Sequence, residues 1–224
     1  MIKLYNQDCM EALKEMKANQ YDLAIVDPPY GIGDWVSKYR NENKTKTYKS
    51  GNKIGKQWKR NTQTRWKEVK WNNNIPNQDY FIQLKRVSKE QIIWGANYYN
   101  CFNDKGGAIV WNKKMPVKSN MSICEIASYS KHKKVAYYEG IWQNVNRGEI
   151  TIHPCQKPVK LYEWLLMNYA KAGDKILDTH LGSGSIAIAC HNLGYNLDGY
   201  EIDETYYEAA KKRLNQHQNQ LTLL

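Results

Sequence analysis

Phenylalanine is almost missing from this chain: two Phe stand against 17 Tyr and 8 Trp in 224 residues. The aromatic surface is therefore of the amphipathic kind that suits wet surfaces and stacking on bases, although AT-rich codon usage also yields Tyr. Long apolar runs are missing too. The longest spans five residues, 186–190, against the roughly 18 of a membrane span. The opening "MIKLYNQDCMEALKEM" has no apolar stretch of signal-peptide type, which predicts a cytoplasmic protein. Five cysteines are scattered, and no two have C-x-x-C spacing. That pattern argues against a disulfide framework and a zinc site, fits a reduced compartment, and predicts no metal. No G-K-[ST] follows a glycine turn, so an ATP-binding P-loop is excluded. No internal repeat at a fixed period is visible.

What is present in excess is positive charge. The formal net charge is +11 with pI about 9.3, and mean hydropathy is −0.77. Codon bias would spread this charge along the chain. Instead, Lys38–Lys70 carries twelve Lys and Arg against two Glu, which is ten of the eleven net charges. A basic stretch of this kind points to a polyanionic partner. It lies in a region, 34–75, without clear hydrophobic period, and such long stretches are usually functional or disordered.

Around that region the chain alternates strand and helix patterns. Strands are predicted at 2–5, 21–27, 90–95, 107–112, 122–130, 175–179 and 196–201. Helices are predicted after Asp8, over 77–88, over 158–171 with Pro158 in its first turn, over 185–193 and over 204–218. Residues 131–152 fit neither period. Trp164 and Met167, in "LYEWLLMNY", are expected in the core, and His132, His191 and His217 on the surface or in packing. The alternation predicts an α/β fold of one domain over 1–224, with a mainly parallel sheet and a basic insertion at 34–75. In such sheets ligands bind beyond the carboxyl ends of strands, where strand order reverses.

Two predicted strand ends carry chemistry. "LDTHLGSGSIAIA" (177–189) is strand, glycine turn and helix. Glycines let a ligand approach the backbone. Glu201, 23 residues after Asp178, can accept two hydrogen bonds from a ribose diol. Asp178 would repel a pyrophosphate and suits a ligand with positive charge. The second is "LAIVDPPYGIG" (23–33). A carboxylate (Asp27) and a carbonyl (Pro28) can accept both N–H bonds of an exocyclic amine, which turns its lone pair towards a methyl donor. Pro28 and Pro29 fix φ near −65° and pre-aim the carbonyl. Tyr30 offers a face for a base that has left the duplex. A bare polyproline turn is the competing reading; its place at the end of a buried-type strand argues against that.

These motifs, with "HPCQKP" (153–158), "GYEIDETYYEAAKKRL" (199–214) and "YNQDCMEAL" (5–13), resemble the DNA amino-methyltransferases that modify adenine N6 or cytosine N4. The catalytic motif precedes the cofactor turn, as in the circularly permuted beta group. The resemblance implies a Rossmann-like, seven-stranded sheet and S-adenosylmethionine as cofactor. It implies that Asp27, Pro28, Pro29 and Tyr30 hold the target base. Asp178, Gly182, Ser183 and Gly184 would line the cofactor, with Glu201 on its ribose, Asp8 by its adenine and Lys157 on its carboxylate. "WGANYY" (94–99) matches a segment on the target-base side more loosely. Lys38, Arg40, Lys56, Lys59, Arg60, Arg65 and Lys67 are expected to contact DNA. A homodimer is a family habit, and any restriction nuclease would be a separate protein.

The chain departs from the pattern at Thr179-His180, where the family has Pro-Phe, and at Cys155, where it has Thr. Residues 131–152 are too few for the separate recognition region of larger members. Asp27 rather than Ser leans towards adenine over cytosine. RNA adenine methylation, a nicotinamide dehydrogenase and a non-catalytic nucleic-acid-binding relative are the competing functions.

Overall fold

The computed structural model describes residues 1–33, 71–115, 122–141 and 151–221. The chain divides into two compact units, Met1–Pro28 with Pro76–Leu224, and Pro29–Ile75. The seven basic residues expected on DNA lie outside the described residues.

The larger unit contains an eight-stranded sheet. Its strands are β1 (Ile2–Asn6), β2 (Tyr21–Val26), β3 (Ser88–Trp94), β4 (Ala108–Asn112), β5 (Cys124–Tyr129), β6 (Val135–Glu139), β7 (Lys175–Asp178) and β8 (Asn196–Glu201). Their order in space is β1-β8-β7-β2-β3-β5-β4-β6. Among the described residues five pairings are parallel, and only β5 runs antiparallel to its neighbours β3 and β4. The helices are α1 (Cys9–Glu15), α2 (Gln78–Val87), the short α3 (Ala96–Tyr99), α4 (Val159–Tyr169), α5 (Ser185–Leu193) and α6 (Glu204–Leu221).

Alternation along the strands builds a core on each face. On β2, Leu23 and Ile25 join the cluster under α4, α5 and α6, with Leu161, Leu165, Ile186 and Leu214. Ala24 and Val26 face the other way, into the cluster under α1 and α2 with Leu13, Phe81 and Leu84. A sheet covered on both faces explains why β2 reads as a continuous apolar run. Strand order reverses between β7 and β2, which are parallel neighbours with Leu23 opposite Ile176 and Ala24 opposite Leu177.

Four features depart from the sequence expectation. The sheet has eight strands where the resemblance implied seven. The addition is β6, in the ambiguous stretch 131–152, an edge strand paired to β4 alone. Its burial alternates, with Val135, Tyr137 and Glu139 exposed, so little apolar signal survives. β3 starts at Ser88 because α2 runs into it without a loop: Ser88 Oγ closes the helix by donating to Leu84 O at 2.6 Å. Pro158 is the N-cap of α4, with ψ 143°, rather than part of its first turn. Met167 is 62% exposed, not core, while Trp164 is half-buried against Tyr138 and Tyr169. No helix among the described residues is long and apolar enough to cross a membrane.

In the smaller unit, buried Asn72 clamps the turn after the Pro-Pro pair. Its Oδ1 accepts from Tyr30 N at 2.9 Å, its Nδ2 donates to Gly33 O and its carbonyl accepts from Gly33 N. Gly31 there has φ +69°, and a Cβ on it would meet Ile75 Cγ2 at 2.8 Å.

Candidate active site

Four parallel neighbours, β1, β8, β7 and β2, end side by side, and each end carries a carboxylate. Asp8 follows β1, Glu201 ends β8, Asp178 ends β7 and Asp27 follows β2. This is the carboxyl edge of the sheet at its switch in strand order, where α/β sheets bind ligands. Asp8 caps α1 by accepting from Met10 N at 2.8 Å.

The glycine turn joins β7 to α5. Gly184 has φ +68°, and a Cβ on it would stand 3.0 Å from Ala210 Cβ. A side chain there is therefore disfavoured twice, by backbone and by space. Glu201 braces the turn, its Oε2 accepting from Gly182 N at 2.8 Å while Oε1 accepts from Asp203 N. A carboxylate has about four acceptor positions, so these two bonds leave capacity for a diol. On the far side Arg213 of α6 donates to Ser183 O and Ser185 Oγ, both at 2.9 Å. The HPCQKP segment lies over the turn: the His153 ring is 3.5 Å from where a Gly182 Cβ would sit.

Burial dominates the electrostatics. Asp178 is 2% exposed. Burial pushes its carboxyl up to about 8; His180 N–H opposes this, and the charges of Asp27 and Glu201 reinforce it. Burial raises Glu201 as well. Burial lowers His153 to about 3, and Lys157 adds to the effect. Burial lowers His180 to about 4 against the pull of Asp8, so both imidazoles are neutral.

The departure at Thr179-His180 has a structural basis. Tyr80, on α2 and 2% exposed, places its hydroxyl 2.7 Å from Thr179 Oγ1, which is 2.9 Å from His180 Nδ1. Tyr80, Thr179 and His180 are thus joined in one hydrogen-bonded chain. His180 also meets the Tyr80 ring edge-on at 5.4 Å.

At the end of β2 both expected acceptors are held by internal donors. Tyr99, in the WGANYY segment, donates to Pro28 O. Burial and the Asp27 charge keep that phenol protonated. Lys157 donates to Asp27 Oδ2. The resemblance puts Lys157 on a cofactor carboxylate; the structure places its ammonium on Asp27 and, at 3.0 Å, on Glu125 Oε2. Asp27, Pro28, Lys157, Asp178, Gly182, Ser183, Gly184 and Glu201 thus share one edge of the larger unit. Pro29 and Tyr30 belong to the smaller unit. The sequence did not single out Glu125, Lys113, Tyr80, Asn72 or Arg213, and it placed Tyr99 only within a loosely matching segment.

Comparison with known proteins identifies the family. A family model described as DNA methylase, of N6/N4 type, matches residues 21–212. The Type II methyltransferase M.HpaI of Haemophilus parainfluenzae is 25% identical over 246 positions, covering 97% of this chain and 75% of its own. M2.DpnII of Streptococcus pneumoniae is 24% identical, covering 94% and 88%. Among solved structures, M1.HpyAVI in complex with SAM superposes with TM-score 0.58 at 22% identity, over 96% of this chain and 100% of that one. The cytosine-N4-specific PvuII DNA methyltransferase gives 0.56 at 12% identity, over 97% and 91%. The two structures share the fold. With the family model spanning most of the chain, the protein belongs to the N6/N4 DNA methylase family.

Proposed function

We propose that this chain transfers a methyl group from S-adenosylmethionine to N6 of an adenine in DNA. One observation carries the reading. The Asp27 carboxylate and the Pro28 carbonyl stand together at the end of β2, and each already holds a hydrogen-bond donor. An exocyclic amine presents two such donors.

The neighbouring edge fits the cofactor. Asp178 suits a cation, Glu201 has acceptor capacity for a ribose diol, and the turn between them is glycine at 184, where a Cβ would crowd Ala210. Asp8 and His180 stand nearby for the cofactor's base. S-adenosylmethionine supplies a methyl on a sulfonium: as the amine's lone pair forms the N–C bond, the S–C pair returns to sulfur.

The chain's own residues hold the amine. Asp27 and Pro28 accept its two N–H bonds, so its lone pair leaves the ring system. They also stabilise the positive charge that develops on nitrogen before one proton passes to solvent. Alignment of this kind contributes about 7–11 kcal/mol. Tyr30, two residues along the chain from Pro28, supplies a stacking face worth about 1–3 kcal/mol per base. The basic segment 34–75, with Lys38, Arg40, Lys56, Lys59, Arg60, Arg65 and Lys67, holds the DNA backbone.

Aspartate rather than serine at position 27, in which the chain resembles the adenine-directed members, favours adenine. Cytosine-N4 transfer is the second reading, supported by the likeness to an N4-specific enzyme. Labelled methyl transfer to mixed-sequence DNA tests the common step. Asp27→Ala is expected to cost about 10²–10³-fold in rate with cofactor binding retained. Undiminished transfer by Asp27→Ala contradicts the assignment.

A further inference from the structure

Lys157 poses a problem for the proposed reaction. Its side chain is 4% exposed, and its ammonium pairs with Asp27, the acceptor meant for the amine. It also lies 5.4 Å from the centroid of the Trp94 ring. An ammonium is a better donor to carboxylate than a neutral amine. A buried ammonium that lost its carboxylate would be stranded at high cost. Nothing in the motif pattern says how the amine displaces it.

The rest of the cluster supplies an answer. Glu125, on β5, holds the same ammonium at 3.0 Å through Oε2. Its Oε1 is 3.1 Å from Lys113 Nζ, just beyond β4. Charges therefore alternate from Lys113 through Glu125 and Lys157 to Asp27. Burial would raise Glu125, but Lys157 and Lys113 outweigh it and hold the carboxyl below its ordinary range. Burial would lower Lys157, and Asp27 and Glu125 outweigh that. Both groups are thus fully ionised at neutral pH. Lys157 is shared between two carboxylates, only one of which belongs to the substrate site.

We propose that Glu125 is a positioning residue for methyl transfer, which takes over Lys157 when the target amine claims Asp27. The hand-over needs no large motion, because the second contact already exists. It frees an Asp27 lone pair without stranding a cation and moves positive charge away from the nitrogen that becomes an ammonium. The inference rests on the function proposed above.

The test is single-turnover methyl transfer at saturating cofactor and DNA, beside calorimetric cofactor binding. Glu125→Gln takes the second carboxylate from Lys157; transfer slows at least tenfold while cofactor affinity stays within threefold. Glu125→Asp keeps the charge on a shorter arm and recovers most of that loss. The decisive comparison is made in a Lys157→Met background. With no cation to accept, Glu125→Gln changes the rate by less than threefold. This pair also decides the matter if Glu125→Gln alone does not fold.

A wild-type rate in Glu125→Gln, or an equal fall in both backgrounds, overturns the proposal. So does complete loss of transfer in Lys157→Met, since Lys157 would then be needed on Asp27 in the reacting state. A wild-type protein that methylates no DNA overturns the functional reading and this inference together. One that methylates with Glu125 indifferent overturns this inference alone.

Discussion

Asp178 sits beside Asp27 and Glu201 in a buried edge, and its carboxyl ionises only near pH 8. Its folded value lies above the unfolded one, so its contribution to stability is fully present below the ordinary carboxylate range and is lost as pH rises through about 8. Binding of a cation runs the other way. Below pH 8, a cationic cofactor must expel the Asp178 proton. Affinity for S-adenosylmethionine is therefore expected to rise with pH and level off near 8, with proton release visible by calorimetry in buffers of different ionisation enthalpy. Asp178→Asn should weaken binding and flatten the dependence; a steep dependence that survives in it contradicts the assignment. The Tyr80–Thr179–His180 chain makes a second prediction at this scale. Thr179→Val leaves the Tyr80 hydroxyl buried without its Thr179 partner, which costs about 1–3 kcal/mol. Thermal unfolding should show that loss. Tyr80→Phe added to Thr179→Val should cost less than the sum of the two changes.

Elements with caps were legible, and elements defined by distant partners were not. α5 and β8 fall at the bounds the sequence predicts. Gly184 and Gly194, with φ +68° and +75°, punctuate both ends of α5, and their signal is local. The Gly184 backbone is also a point of failure. Gly184→Ala places a side chain in the left-handed region and against Ala210. It should destabilise the fold by about 1–3 kcal/mol, read as a lower midpoint in thermal or urea unfolding; an unchanged midpoint contradicts this. The edge strand β6 escaped detection because one side of its residues faces water. The start of β3 escaped because no turn residue separates it from α2. Met167 misled for the opposite reason: its apolar side chain sits on the solvent side of α4.

Across the whole molecule, the motifs were legible because each is short and contiguous, at a strand end or, for HPCQKP, at the start of α4. Their partners were not. Glu125 reaches Lys157, and Lys157 reaches Asp27 over 130 positions of sequence, only because the sheet order brings β2, β3 and β5 together. No local pattern encodes that. Charge is the other property of the whole chain. If the basic segment tracks phosphates, changing Lys56, Lys59, Arg60 and Lys67 to Gln should flatten the plot of log affinity against log salt by about 0.9 for each phosphate no longer neutralised. Cofactor binding should be unaffected, and an unchanged slope contradicts the role. The central claim is the reaction itself, and nucleoside analysis tests it most directly. The protein is incubated with S-adenosylmethionine and mixed-sequence DNA, the DNA is digested, and the nucleosides are separated by mass. N6-methyladenine, strongly reduced with Asp27→Ala, is the predicted result. N4-methylcytosine would keep the amine-holding site and overturn the choice of base, while no methylated nucleoside in DNA that the protein binds would contradict the account.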